Sequence, residues 1–275
     1  MTALSLGYSP CPNDTFIFCA MIQGRIPDAP NCREVLEDIE TLNNLALQRE
    51  LDLTKISFHA LGHMREDYVL LRSGGALGRG CGPLVVAREP LRPDRLGGMK
   101  IALPGRLTTA ALLLRLFDPG LEHLVYLPFD QIMPACRRGE VDAGVIIHES
   151  RFTYAEHGLS QVIDLGAWWE EETGHPIPLG GILARRDLGG AMHERLNRSI
   201  RSSIEYAYDH PDEVKPYIRR HAQEMDEKVM QQHIELYVNQ YSLQYGDDGE
   251  AAIRDLFERA ERAGILPASK RTLFE

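Results

Sequence analysis

Short apolar runs bounded by glycine or proline recur through the first two-thirds of the chain, and stretches with helical spacing come after them. Residues 4–9 alternate into a short strand that Pro10 and Pro12 stop, and Asn13 or Asp14 is placed to cap the helix beyond. That helix carries Phe16, Ile17, Ala20 and Met21 and ends at Gly24. An extended piece at 34–38 leads into a Thr41-capped helix through Leu42, Leu45 and Ala46. Residues 53–56 form the next strand, and Ser57 can cap the element after it. Strand and helix alternating in this rhythm predict an α/β fold with a parallel sheet.

The rhythm continues with strands at 84–87, 100–103, 124–127, 145–147 and 162–165. Helices are expected at 110–117, 131–138 and from Arg151 to Tyr154. Trp168 and Trp169 are read as part of a strand or turn, where neighbouring side chains face opposite ways. From Gly190 onward the spacing is helical, through Leu196, Ile200, Ile204 and Ala207, then Ile234, Tyr237 and Val238, then Ile253, Leu256 and Phe257. Pro90 and Pro93 mark one crossing between lobes, and Pro176, Pro178, Gly180 and Gly181 a second. The expected organisation is a larger lobe of residues 1–89 and 181–275, with a smaller α/β lobe of residues 90–180 inserted into it. The ligand cleft then lies between the lobes.

One stretch draws the chemistry together. Gly139-Glu140-Val141-Asp142-Ala143-Gly144 leads into the apolar run 145–147 and then His148, the first polar residue at a strand's carboxyl end. Ligands of open α/β sheets gather outside those ends, and histidine titrates nearest neutral pH. Two readings stand for His148 at this level: a loop-capping residue, or a base facing a cleft.

Composition narrows the field. A formal charge of -10 over 275 residues disfavours a nucleic-acid partner. The first residues show neither a basic region nor a long apolar stretch, so no secretion signal or membrane anchor is expected. Cys11, Cys19, Cys32, Cys81 and Cys136 are scattered, as expected of reduced thiols in a cytoplasmic protein. A Walker loop, a Gly-x-Ser-x-Gly elbow and a His-Glu-x-x-His helix are all lacking. The glycine-rich residues 73–82 run into a strand instead of opening a helix, which argues for a flexible loop and against a nucleotide cradle. His59 and His63 stand one helical turn apart without a third ligand, so no metal is expected. Cys11 reads as a buried thiol in preference to a nucleophile.

What converges at the strand ends is Ser9, Asn13 and Asp14, then Lys55 and Ser57, then Thr108 and Thr109, then His148. The two threonines stand at a helix N-terminus, which suits a carboxylate or serves plain N-capping. A lysine cation, hydroxyls and a base suit an acidic, hydroxylated small molecule. These residues do not distinguish a binding module from an enzyme.

The Gly-x-Val-Asp-Ala-Gly segment resembles the second lobe of periplasmic solute-binding proteins, a likeness of fold. Several longer stretches are more specific: Ser9-Pro-Cys-Pro-Asn-Asp-Thr-Phe16, Arg72-Ser-Gly-Gly-Ala-Leu-Gly-Arg-Gly80, Pro104-Gly-Arg106 with Thr108 and Thr109, and Ile147-His-Glu-Ser-Arg-Phe-Thr-Tyr154. Together with Leu165-Gly-Ala-Trp-Trp169 and Leu179-Gly-Gly-Ile-Leu-Ala-Arg-Arg186, they resemble the 1,4-dihydroxy-6-naphthoate synthase family of the futalosine route to menaquinone. The resemblance implies a two-lobed, periplasmic-binding-protein-like (type 2) fold used as a carbon–carbon lyase. It implies conversion of cyclic dehypoxanthine futalosine to 1,4-dihydroxy-6-naphthoate with release of dihydroxyacetone, without metal, flavin or nicotinamide. It further implies His148 as proton acceptor and Lys55, Ile56, Ser57, Thr108 and Thr109 as substrate contacts, with Ser9, Asn13 and Asp14 lining the cleft. Chorismate dehydratase of the same route and a non-catalytic small-anion-binding module are the alternatives.

Overall fold

The first strand–helix–strand unit sets the pattern of the larger lobe in the computed structural model, which describes residues 3–222 and 226–274. β1 (Leu4–Tyr8) is ended by the proline pair, and α1 (Pro12–Ile22) starts on Pro12, whose missing N–H costs nothing in a first turn. β2 (Cys32–Leu36) and β3 (Leu53–Ser57) flank β1 in parallel, with α2 (Ile39–Leu47) between them in sequence. α2 is capped by Asp38, whose carboxylate accepts from the backbone of Glu40 and Thr41, so Asp38 and not Thr41 is the cap. The short α3 (Phe58–Leu61), β4 (Tyr68–Leu70) and β5 (Ala76–Gly78) complete this part of the lobe.

The smaller lobe begins with β6 (Leu84–Ala87) and continues through β7 (Ile101–Leu103), α4 (Thr109–Phe117), β8 (Leu124–Tyr126), α5 (Phe129–Arg138) and β9 (Ala143–Ile146). It closes with α6 (Ser150–Thr153), β10 (Ser160–Asp164) and α7 (Leu165–Thr173). The chain then returns on the long β11 (Ile177–Arg185) and ends in helices: α8 (Gly190–Asp209), α9 (Pro211–His221), α10 (Glu227–Tyr237), α11 (Gln240–Leu243) and α12 (Gly246–Arg262).

The larger sheet has the order β2-β1-β3-β11-β4, with β5 also on β11, and the smaller has the order β10-β6-β9-β7-β8. Both sheets are mixed, which corrects the expectation of a parallel sheet. β11 runs antiparallel to β3, β4 and β5, and β6 runs antiparallel to β9 and β10. Apolar alternation marks a strand but carries no sign for its direction.

The crossings also lie elsewhere than the prolines suggested. β6 belongs to the smaller sheet, so the chain leaves the larger lobe within residues 79–83, inside the glycine-rich stretch and before Pro90. It returns before residue 177, and Pro178 and Gly180 lie within β11. Pro178 is tolerated there because the ladder with β5 shifts register between Pro178 and Gly180.

α1 packs on α8 and α9 through Ile17, Phe18, Ile200, Ile204 and Val214, burying one face of the larger sheet. On the other side a continuous core joins the lobes, from Phe58 and Leu183 through Phe257 to Leu112, Val145 and Trp169. The two tryptophans are helical, not extended. Trp169 is wholly buried and donates its Nε1–H to the Pro176 carbonyl (3.2 Å), while Trp168 packs edge-on against Phe117. Among the described residues no helix is long and apolar enough to cross a membrane.

β3 and β11 approach so closely at the cleft that Gly180 has no room for a side chain: a Cβ would meet the Ile56 carbonyl oxygen at 2.6 Å. Gly180→Ala is expected to part the two strands and destabilise the protein by about 1–3 kcal/mol, measured by denaturant unfolding. Unchanged stability would show that the ladder yields there.

Candidate active site

The carboxyl ends of β1, β3, β7 and β9 converge on one cavity holding about 680 Å³ of empty space, open solvent at its mouth included. Ser9 follows β1, Lys55 to Ser57 end β3, Thr108 and Thr109 follow β7, and His148 follows β9. All of these residues line the cavity, as do Asn13 and Asp14 from the first turn of α1. The fold therefore brings together every residue that the sequence singled out for the cleft.

The chemistry of several of them differs from expectation. Lys55 is not a lone cation: its Nζ lies 2.7 Å from Asp14 Oδ1, and both side chains are buried. Asp14 does not cap α1. Its Oδ1 also accepts from Asn13 Nδ2 (2.9 Å), and its Oδ2 accepts from the Ser9 hydroxyl (2.8 Å). Burial makes this arrangement necessary, because neither charge would be tolerated there alone. Ile56 gives its side chain to the core, so its backbone is what it offers the cleft.

Ser57 precedes α3 but makes no side-chain cap. Its hydroxyl accepts from Asn43 Nδ2 (3.2 Å), and its backbone N–H donates to Asn43 Oδ1 (3.0 Å). One of the hydroxyl's two lone pairs is so used, and its O–H remains to donate to a ligand. Asn43 was not singled out by the sequence, although it falls with Ile39, Leu42 and Ala46 on one helical stripe.

Thr108 caps α4: its Oγ1 accepts from the Ala111 N–H (3.2 Å) and donates to the Gly105 carbonyl (3.0 Å). Thr109 Oγ1 accepts from the Phe58 N–H (2.9 Å) and donates to the Leu179 carbonyl. Both hydroxyls are thus engaged in holding the structure. Thr109 and Ala110 line the cavity, and their backbone N–H groups, in the first turn of the helix, have no acceptor within it and lie in the positive end of its dipole. Glu40 of α2 reaches across from the larger lobe and accepts from the Arg106 N–H (2.7 Å), which holds this turn against the cleft.

His148 stands two residues beyond β9 with φ of 58°, in the left-handed region. A side chain there costs about 1 kcal/mol, although histidine adopts it more readily than most. The ring is half-buried, edge-on to Phe129 at 5.2 Å, and its Nδ1 lies 3.6 Å from Cys11 Sγ. Burial lowers its pKa below the usual histidine value, with the Lys55 charge acting in the same sense and Glu149 and Asp14 opposing. His148 is therefore neutral at pH 7. Burial raises the Cys11 thiol well above its ordinary value, which leaves it a proton-bearing group and a poor nucleophile.

A second histidine, His233 on α10, reaches the same cavity. Its ring stacks parallel to His148, with centroids 6.2 Å apart and an interplanar angle of 10°, and its Nε2 is 2.9 Å from Asn13 Oδ1. His233 was not singled out by the sequence, although it shares a helical stripe with Met230, Ile234 and Tyr237.

His59 is the remaining buried imidazole near the cleft, with Nδ1 3.2 Å from the Thr108 carbonyl. Its ring centroid is 5.7 Å from that of His63, and among the described residues no group of ligands able to hold a metal ion is found. Burial lowers the His59 pKa to about 4 from 6.5. On unfolding, His59 regains the higher value, so its neutral form supports the fold fully above pH 6.5 and that support is lost as pH falls toward 4. The shift corresponds to about 3 kcal/mol. Thermal unfolding between pH 7.5 and 4.5 is expected to show the melting temperature falling below pH 6.5, with a shallower fall in His59→Gln. An equally steep fall in that variant would remove His59 as a cause.

The family model described as "Menaquinone biosynthesis" matches residues 4–262. A protein of Thermus thermophilus named 1,4-dihydroxy-6-naphtoate synthase is 54% identical over 274 residues, 100% of each chain. One of the same name from Streptomyces coelicolor is 48% identical, over 96% of this chain and 95% of its own. The crystal structure of the periplasmic aliphatic sulphonate binding protein of Escherichia coli superposes with a TM-score of 0.66 at 14% identity, covering 99% of this chain and 94% of that one. That likeness concerns the two-lobed solute-binding fold alone.

Proposed function

Because the chain belongs to the menaquinone biosynthesis family, we propose that it is a carbon–carbon lyase with the activity its relatives' name states, forming 1,4-dihydroxy-6-naphthoate. Its substrate is cyclic dehypoxanthine futalosine, its second product is dihydroxyacetone, and it works in the cytoplasm on a small molecule, without a metal or organic cofactor.

The observation that carries the reading is His148, a neutral imidazole held at a strand's carboxyl end in a cleft whose lysine is already paired. With Nδ1–H directed to Cys11 Sγ, the tautomer inferred for a base, Nε2 carries the free lone pair. It removes a proton from a sugar-derived hydroxyl of the spirocyclic substrate. Cleavage of the carbon–carbon bond then relieves ring strain, and aromatisation of the naphthoate drives the step. The substrate carboxylate is held by the Ser57 hydroxyl and the N–H groups at the start of α4, which match it in charge.

Ser57→Ala is expected to raise KM by roughly 10- to 150-fold, the worth of a hydrogen bond to a charged group, with kcat little changed. Steady-state kinetics check this, and an unchanged KM would take Ser57 out of the carboxylate site. The function itself is tested by incubating the protein separately with cyclic dehypoxanthine futalosine and with chorismate. Naphthoate from the first and no product from the second is expected. Dehydration of chorismate would replace this reading with that of the dehydratase, and turnover of neither with that of a binding module.

A further inference from the structure

His233 carries a feature that the proposed lyase chemistry leaves unused. It is 1% exposed, it lines the cavity, and its Nδ1 is a buried side-chain nitrogen with no hydrogen-bond partner among the described residues. The hydrogen-bond network fixes which nitrogen bears the proton. Asn13 Nδ2 is committed to Asp14 Oδ1 (2.9 Å), so Asn13 turns its Oδ1 to His233, and His233 Nε2 must be the donor at 2.9 Å. Nδ1 of a neutral imidazole is then a bare acceptor.

Burial, with the Lys55 charge acting in the same sense, holds His233 in that neutral form, because its pKa is pushed well below the usual value. A buried acceptor without a partner is costly, and such groups are few in folded proteins. The other side-chain atoms in that position, Arg65 Nε and the Tyr245 hydroxyl, belong to residues outside the cavity lining. Among the described residues, only His233 places its unsatisfied atom on a residue of the cavity wall.

We propose that His233 is a substrate-binding residue whose Nδ1 accepts a hydrogen bond from a hydroxyl of the ligand's polyol portion, beside the base His148. The two imidazoles then divide the work. His148 takes a proton and becomes charged, whereas His233 stays neutral and holds a hydroxyl in place. The Asn13–Asp14–Lys55 chain behind it sets its tautomer. This inference rests on the lyase reading for the identity of the ligand, but not for the acceptor itself.

Two substitutions separate this role from a structural one. Asparagine places a polar atom where Nδ1 stands, and glutamine places one where Nε2 stands. His233→Asn should keep kcat/KM for cyclic dehypoxanthine futalosine within about fivefold of wild type, whereas His233→Gln should lose about 5- to 150-fold, the cost of an unpaired hydroxyl. A purely structural role predicts the reverse order, because only glutamine can still reach Asn13. That order, or an equal loss in both variants matched by equal losses in melting temperature, would overturn the proposal.

The second measurement uses no turnover. In wild-type protein labelled with ¹⁵N-histidine, addition of dihydroxyacetone should move the His233 Nδ1 resonance in the direction of an accepted hydrogen bond. An unmoved resonance at the highest soluble concentration would overturn the proposal. If wild type forms no naphthoate, the lyase reading fails and the resonance alone decides for or against His233.

Discussion

His148→Asn is expected to lower kcat by about 10²- to 10⁴-fold, the usual worth of a positioned general base, while leaving affinity for the naphthoate product nearly unchanged. Asparagine is the informative replacement because it tolerates the left-handed backbone that residue 148 adopts. Alanine would add backbone strain to the loss of the base and confuse the two. Stopped assays give kcat, and equilibrium titration with the product gives affinity. Near-normal turnover in His148→Asn would remove the imidazole from the chemistry. In wild type, the acid limb of kcat/KM should fall below pH 6.5, because burial lowers the His148 pKa and activity persists until the ring protonates.

The second large effect concerns stability. Asp14→Ala would leave Lys55 buried without its partner, and it would also release Ser9 and Asn13. Removing one member of a buried pair costs about 3–5 kcal/mol, or roughly 6–20 °C in melting temperature at this size. Adding Lys55→Met removes the stranded charge and should restore much of the loss. Calorimetry on the single and double variants checks this. A single variant as stable as wild type would mean that the ammonium finds water and the pair carries no weight.

These two residues also mark how far the sequence could be read. His148 was legible because a short apolar run ended on it, and the strand-end rule places such residues in a cleft. Lys55, Ser57 and the threonines came from the same rule, and the matching of long motifs supplied the chemistry. The charge state of the site was not legible. Asp14 looked like a helix cap because aspartate two residues after a proline is an ordinary cap, and its pairing with Lys55 spans 41 positions that no local pattern connects. Strand direction was hidden for a similar reason, since β6 and β11 alternate as any strand does whichever way they run.

Asn43 and His233 were missed although each leaves a trace. Asn43 shares a stripe with Ile39, Leu42 and Ala46, and His233 shares one with Met230, Ile234 and Tyr237. A polar residue on the apolar stripe of a helix is a buried polar residue, and it must find a partner. That partner lies 220 positions away for His233 and 14 for Asn43. The residues flanking His233, Gln232 and Glu235 among them, are polar enough to make the helix read as a surface one.

The threonine turn shows a subtler limit. Residue pattern placed Thr108 and Thr109 at a helix N-terminus, where they do stand, but their hydroxyls tie the turn to Gly105, Phe58 and Leu179. In the proposed function the carboxylate is held by the backbone N–H groups at the start of this helix and not by these hydroxyls. Residue type points to the place, and the main chain there presents the chemistry.

The central claim is that this solute-binding fold cleaves a carbon–carbon bond in its cleft. A single-turnover experiment, with protein in excess over cyclic dehypoxanthine futalosine, tests it most directly. The predicted result is that 1,4-dihydroxy-6-naphthoate and dihydroxyacetone appear in equal amounts and at one rate, and that His148→Asn slows both together. Tight binding of the compound with neither product formed would contradict it.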